Sequence, residues 1–168
     1  SGIAKGYAVD LIAEFLERRG LENFFVEIGG EVKGRGLSSR GKPWNIAIEV
    51  PDRNERKIFS TVPLDNLAMA TSGDYRNFFE SDGAFFPHII NPDNGYPIDS
   101  EVGSVTVLHR SAALADALAT GLNAIGLENL SQISNEKNLK VMAIIRQSGK
   151  YEVFSSEKFQ EYVTSLSE

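Results

Sequence analysis

Cysteine is absent from the 168-residue chain, which removes disulfides, thiolate metal sites and cysteine nucleophiles from consideration. Histidine is scarce: His88 and His109 are the only two, so imidazole chemistry has two possible addresses. No apolar run reaches the roughly 18 residues that a membrane-spanning helix needs, and no stretch has the pattern of a signal peptide. Positive charge is in the minority, with 17 Lys and Arg against 23 Asp and Glu and a net charge of −6. That balance argues against a nucleic-acid partner, which calls for a basic patch. It leaves room for an anionic small ligand, because backbone donors and a bound metal reverse the sign locally.

What is present is ordinary for a globular chain: 42% hydrophobic residues, 24% charged and 15 Gly, enough to bury a substantial core. The chain opens "SGIAKGYAVD", directly in patterned sequence and without Met; we read it as a piece of a longer protein, forming a single domain over 1–168. Val9, Ile12, Ala13 and Leu16 predict a helix over about 5–19, with Gly20 as its stop. "NFFVEIGGEVKGRG" (23–36) reads as a strand broken at Gly29-Gly30, and "WNIAIEV" (44–50) and "KIFSTVPL" (57–64) as strands. "LAMATSGDY" (67–75) reads as a short apolar run ending in a turn, and 82–99 as a Pro/Gly-rich stretch around a short apolar core. "GSVTVLHR" (103–110) is a strand entering the helix "SAALADALATGLNAIG" (111–126), followed by a second helix over 128–136. "LKVMAIIR" and "KYEVFS" predict a hairpin turning at "QSGK", and a helix from about Ser156 closes the chain. Strict alternation of strand and helix is missing, so the expected class is α+β with a largely antiparallel sheet packed against helices.

The helix 111–126 poses the sharpest question. Ala113, Asp116, Ala117, Thr120 and Ala124 share one face, while Leu114, Leu118, Leu122 and Ile125 share another. The leucine face reads as core. Asp116 and Thr120 are hard oxygen donors one turn apart, a spacing that suits Mg²⁺ or Ca²⁺. The same pattern also fits tight helix–sheet packing with Thr120 bonding back to a carbonyl one turn earlier. Thr71, Ser72 and Gly73 at a strand end offer hydroxyls and amides to a phosphate, or form a plain turn. His88, in a short apolar strand before a Pro/Gly-rich loop, suits a general base or a structural role; His109 reads as structural or surface. The glycines of "VEIGGEV" leave bare backbone for a ligand or mark a bulge. Lys5, at a helix start beside Gly2 and Gly6, favours anions.

"GIAKGYAVD", "VEIGGEV", "ATSGDY", "HIINPDNGYP", "SVTV" and "ADALAT" stand in this order along the chain, and together they resemble the ApbE family, the FAD:protein FMN transferases. The resemblance covers nearly all of 2–126 and, more loosely, the rest. It implies an α+β flavin-transferase fold. It also implies a Mg²⁺-dependent reaction that splits the FAD pyrophosphate, joins FMN to a Thr or Ser hydroxyl of a partner redox protein and releases AMP. The implied acceptor is a subunit of a quinone reductase or related electron-transfer complex; some relatives hydrolyse FAD to FMN and AMP instead. A chain lacking an essential part would be a flavin-binding domain only. Carried over by position, Asp116 and Thr120 match the metal-binding side chains, and the carbonyl of Ala4 resembles a further ligand. His88 matches the His proposed to act near the pyrophosphate. Thr71, Ser72 and Gly73 resemble phosphate or flavin contacts, and Lys5, Gly29, Gly30 and Glu31 resemble cofactor-contacting positions. Asn91 stands where the family pattern more often has Asp before Pro92. Family members carry about as much sequence again upstream, contributing to the flavin pocket. The implied location is the periplasmic side of the inner membrane, with a lipid anchor in the parent protein.

Overall fold

The structure, a computed structural model, describes residues 2–52, 55–73, 78–81, 84–87, 90, 95–98, 101–147 and 150–163. His88, Asn91 and part of the "QSGK" turn lie outside them. Among the described residues, no helix is long and apolar enough to cross a membrane.

A six-stranded sheet organises the molecule. Its strands are β1 (Phe24–Ile28), β2 (Glu31–Arg35), β5 (Leu67–Gly73), β8 (Val102–His109), β9 (Lys140–Gln147) and β10 (Lys150–Ser155), side by side in that order. Every neighbouring pair is antiparallel, as the sequence predicts. Two further hairpins pair β3 (Trp44–Glu49) with β4 (Ile58–Leu64) and β6 (Phe78–Ser81) with β7 (Ala84–Pro87). The helices are α1 (Ala4–Arg18), α2 (Ala112–Ala124), α3 (Gly126–Glu136) and the single turn α4 (Glu157–Gln160).

Period-two alternation in the sheet divides the core in two. On one face Val32, Met69, Leu108, Met142 and Ile144 pack with Ile48, Val62 and Leu64 of the β3–β4 hairpin and with Phe159 of α4. On the other, Ala70, Val105, Val107, Val141 and Ala143 pack under Ala115, Ala119 and Leu122 of α2 and Leu130 of α3. Each fully buried Val, Leu or Ile contributes roughly 1.5–3 kcal/mol. Helix α1 lies over β1, burying Val9 and Ala13 against Phe24, Val26, Ala68 and Ala112.

The leucine face of α2 is core only in part: Leu122 is buried and Leu118 packs against the core, but the other two residues turn outward. Leu114 is 49% exposed and Ile125 38%, and Leu118 is half-buried, whereas Ala112, Ala115, Asp116, Ala119, Leu122 and Asn123 are buried. The reason is steric. Helix α2 is wedged between the sheet and α1, and the side that meets both must be small. The same inversion holds in α1: Gly6, Val9 and Ala13 face inward, while Tyr7, Leu11, Ile12 and Phe15 are exposed. At the closest approach, a Cβ on Gly6 would lie 2.2 Å from the carbonyl oxygen of Ala112 and 2.8 Å from Cβ of Asp116.

Three smaller differences have equally local causes. The run at 67–75 is a full strand through Gly73, because four consecutive buried residues, Leu67–Ala70, are covered on both faces. Strand β6 carries no strong pattern, and the sequence does not predict it. The C-terminal helix ends after one turn, anchored by Phe159, which is fully buried.

Asp10 ties α1 to the start of α2. Its carboxylate accepts bonds from the N–H groups of Ala112 and Ala113 at 3.0 Å each, from Ser111 Oγ at 2.7 Å and from Lys33 Nζ at 2.9 Å. Burial alone would raise its pKa; the Lys33 ammonium, the two amides and the Ser111 hydroxyl outweigh that and bring it from 3.8 to about 2. A carboxylate held below its unfolded pKa stabilises the fold above that pKa, and the contribution disappears as pH falls through the folded value. Asp10→Asn is therefore expected to lose on the order of 1–2 kcal/mol at pH 7, after allowing for solvent screening. In urea titrations the gap between wild type and variant narrows as the pH falls from 5 toward 2.

Candidate functional site

A cleft of about 820 Å³ opens where the β1–β2 turn, the end of β5, the start of α1 and the second half of α2 meet, with β3 forming its far wall. The turn is Gly29-Gly30, with φ of +59° and +99°. It joins the directly paired Ile28 and Glu31, a two-residue hairpin whose left-handed angles favour glycine. Of the two readings of this pair, bulge or bare backbone, the second is closer: a Cβ on Gly29 would meet Lys5 Cδ at 3.1 Å. The bare backbone lets Lys5 reach across. Its Nζ lies 2.8 and 2.9 Å from the two carboxylate oxygens of Glu31 and 3.3 Å from the Gly29 carbonyl oxygen. Lys5 is thus an ion-pair partner before it is an anion site. Glu31 is 3% exposed. Burial pushes its carboxyl above the ordinary value, the Lys5 ammonium opposes the shift, and the Asp116 charge adds to it.

Asp116 is 4% exposed. Its Oδ2 accepts the backbone N–H of Gly6 at 3.0 Å, and among the described residues no Lys or Arg pairs with it. Thr120 sits one turn on, against Gly2, where an added Cβ would come within 2.5 Å of Thr120 Oγ1. Among the described residues, Thr120 makes no back-bond to a preceding carbonyl. Thr71 and Ser72 stand at the end of β5; the Thr71 hydroxyl meets that of Thr106 across the ladder at 2.9 Å. Asn123, buried in α2, donates from Nδ2 to the Ser72 carbonyl oxygen at 3.2 Å.

Of the residues singled out from the sequence, Lys5, Gly29, Gly30, Glu31, Thr71, Ser72, Gly73, Asp116 and Thr120 all line this one cleft. Ala4 opens α1 and is not among the lining residues. His88 lies outside the described residues. His109 is structural: its Nδ1 accepts the Ser111 N–H at 3.0 Å. The sequence reading misses the far wall, formed by Asn45–Glu49 and Arg56. An alternating strand carries no mark of which face meets a ligand. It also misses Asp10 and Asn123, whose partners are distant in sequence.

Among the described residues, the ionisable lining comprises Glu27, Glu31, Glu49 and Asp116 against Lys5 and Arg56. Arg56 is committed to Glu49 through bonds of 2.7 and 3.1 Å, and Lys5 to Glu31. Among the described residues, a phosphate entering this cleft meets surplus negative charge. A divalent cation fits the donor set at Asp116 and Thr120: a buried carboxylate with no cationic partner among the described residues and a neighbouring hydroxyl, both hard oxygens.

The sequence profile of the ApbE family matches residues 1–145. The chain belongs to the ApbE family. Over 164 residues it is 42% identical to an FAD:protein FMN transferase of Vibrio cholerae, covering 98% of this chain and 49% of that one. A Haemophilus influenzae FAD:protein FMN transferase is 43% identical over 162 residues, covering 96% and 47%. Among solved structures, the flavin transferase ApbE from Vibrio cholerae superposes with a TM-score of 0.84 at 38% identity, covering 96% of this chain and 51% of that one. The ApbE protein of Thermotoga maritima superposes at 0.85 with 31% identity, covering 98% and 52%. The fold is therefore the ApbE fold, mixed helix and antiparallel sheet as expected. The chain spans about half the length of the relatives it matches.

Proposed function

We propose that this ApbE-family chain carries the cation and phosphate side of an FAD:protein FMN transferase. In the proposed reaction a Thr or Ser hydroxyl of a redox partner protein attacks the FMN phosphorus of FAD. The new O–P bond forms as the P–O bond to AMP breaks, and the hydroxyl proton passes to a base. His88 is the proposed base. The single observation that carries this reading is Asp116: a buried carboxylate with no cationic partner among the described residues, beside Thr120 in a cleft whose described lining carries surplus negative charge. Asp116 and Thr120 would hold Mg²⁺, with the Ala4 carbonyl as a further proposed ligand. When bound, the ion supplies charge neutralisation and polarisation at the phosphates.

The protein's own groups do the rest. Thr71, Ser72 and the amide of Gly73 offer donors to phosphate or flavin at the end of a rigid strand, where hydroxyl and amide dipoles need no rearrangement. Lys5 stays fixed on Glu31, holding the glycine turn against α1. Relatives named FAD:protein FMN transferase support the substrate, FAD; an acceptor in a quinone reductase or electron-transfer complex and a periplasmic, lipid-anchored parent remain our proposals.

The test is incubation of the chain with FAD, Mg²⁺ and a candidate acceptor, in parallel with a relative of full length, followed by mass spectrometry. An FMN adduct on an acceptor Thr or Ser, with AMP in equal amount, is the expected result. AMP released at the same rate without acceptor would identify a pyrophosphatase instead. FAD bound with Mg²⁺ but never cleaved by the chain would leave it a binding domain.

A further inference from the structure

Resting on the cation reading of Asp116 and Thr120, we propose that Asp10 is the positioning residue for Asp116, setting cation affinity without touching the cleft. Helices α1 and α2 are joined by hydrogen bonds that run in opposite directions. The Gly6 N–H on α1 donates to Asp116 Oδ2 on α2 at 3.0 Å. One turn further along α1, the Asp10 carboxylate accepts the Ala112 and Ala113 N–H groups of α2 at 3.0 Å. Gly6 and Asp10 are one turn apart on α1, and Ala112 and Asp116 one turn apart on α2, so the two contacts close a clasp one turn long on each helix. Between them nothing cushions the crossing: a Cβ on Gly6 would lie 2.2 Å from the Ala112 carbonyl oxygen. The place of Asp116 relative to Gly2 and Lys5, at the start of α1, is therefore defined by backbone contact and by this clasp.

Asp10 is not required to start α2. Ser111 already caps that helix, its side chain accepting the Leu114 N–H at 3.2 Å. What Asp10 adds is attachment of the α2 start to α1. Without it, among the described residues, the start of α2 is held to α1 by packing and by the Gly6 bond to Asp116 one turn on, and the Asp116 carboxylate moves with it. Lys33 donates to Asp10 Oδ1 at 2.9 Å, the oxygen that also accepts the Ala112 N–H, and among the described residues it makes no bond to α2. Its loss leaves both amide bonds to Asp10 in place.

The test uses the 168-residue chain, with Mn²⁺ as the probe. Free Mn²⁺ is followed by electron paramagnetic resonance at pH 7 and the melting temperature is measured on the same samples. Asp10→Asn sets an amide donor against one of the two α2 N–H groups and is expected to weaken Mn²⁺ binding roughly 10–100-fold, the range typical of residues that orient a metal ligand. Lys33→Met is expected to lower the melting temperature by a few degrees, about what loss of a partly buried ion pair costs, while leaving the Mn²⁺ affinity within about twofold. Asp10→Glu keeps the charge and displaces the cap by one methylene; it carries the expectation of roughly tenfold weakening should the Asn variant not fold. The proposal is overturned if folded Asp10 variants bind Mn²⁺ as tightly as wild type. It is equally overturned if Lys33→Met weakens binding as much as Asp10→Asn, since affinity would then follow overall stability. Absence of Mn²⁺ binding by the wild-type chain overturns the cation reading itself, and this proposal with it.

Discussion

On the proposed cation reading, Asp116→Ala is expected to abolish divalent-cation binding and to lower FMN transfer by about 10³-fold or more, at least as much as His88→Ala. The comparison follows from magnitudes. A well-placed general base is worth roughly 10²–10⁴-fold, and it acts on a phosphorus whose charge must first be neutralised. A base has nothing to accelerate while the attacking oxygen faces an unshielded pyrophosphate in an acidic cleft. Two variants separate chemistry from folding. Asp116→Ala leaves the buried Gly6 N–H without its acceptor, a stability cost of about 1–3 kcal/mol. Asp116→Asn keeps an acceptor oxygen for that N–H and removes only the charge, so it should fold nearly as well and transfer as poorly. Calorimetric Mg²⁺ titration, thermal melting and adduct formation on a candidate acceptor, read on both variants, check this. An Asp116→Asn protein that still transfers FMN at ordinary Mg²⁺ would sink the cation reading.

Gly6→Ala is expected to destabilise the chain by at least about 2 kcal/mol, lowering the melting temperature by roughly 4–8 °C for a domain this size. Helix propensity alone predicts the opposite sign, since alanine in a helix interior is favoured over glycine by about 1 kcal/mol. Sterics decides the outcome. The obstacle, at 2.2 Å, is the backbone carbonyl oxygen of Ala112, which cannot rotate away as a side chain does. The helices must separate, and separation breaks the Gly6–Asp116 bond. Gly121 supplies the control. It lies in α2, and a Cβ added there would meet nothing within 4 Å, so Gly121→Ala should stabilise by roughly 0.5–1 kcal/mol. Opposite signs at two helical glycines, measured by urea unfolding, would establish the crossing as the cause.

Much of the cleft is legible from the residues because its markers are chemical. Acids, hydroxyls and paired glycines at strand ends and helix turns stand out against an apolar pattern. Lys5, Gly29, Gly30, Glu31, Thr71, Ser72, Gly73, Asp116 and Thr120 converge on one cavity. The far wall is not legible. Asn45 through Glu49 form a strand that reads as any half-buried strand does. Which of its faces meets a ligand depends on how the β3–β4 hairpin lies over the sheet.

Helix orientation is misread from sequence for a related reason. Side-chain size, used as the guide to burial, puts the leucines of α2 in the core. In the fold the tightest environment, between two helices and a sheet, admits only small residues, and several of the larger side chains turn outward.

By itself, the sequence determined most of the element order, the largely antiparallel sheet, the break at Gly29-Gly30 and the residue types at the cleft. These follow from local periodicity and backbone conformation. Only the tertiary structure decided that Asp116 is buried, that Lys5 is spent on Glu31 and that Asp10 ties α1 to α2. Those facts join positions 26 to 110 residues apart. No local pattern encodes them, because a carboxylate's partner is set by which backbones can approach, and approach is set by the packing of the whole chain.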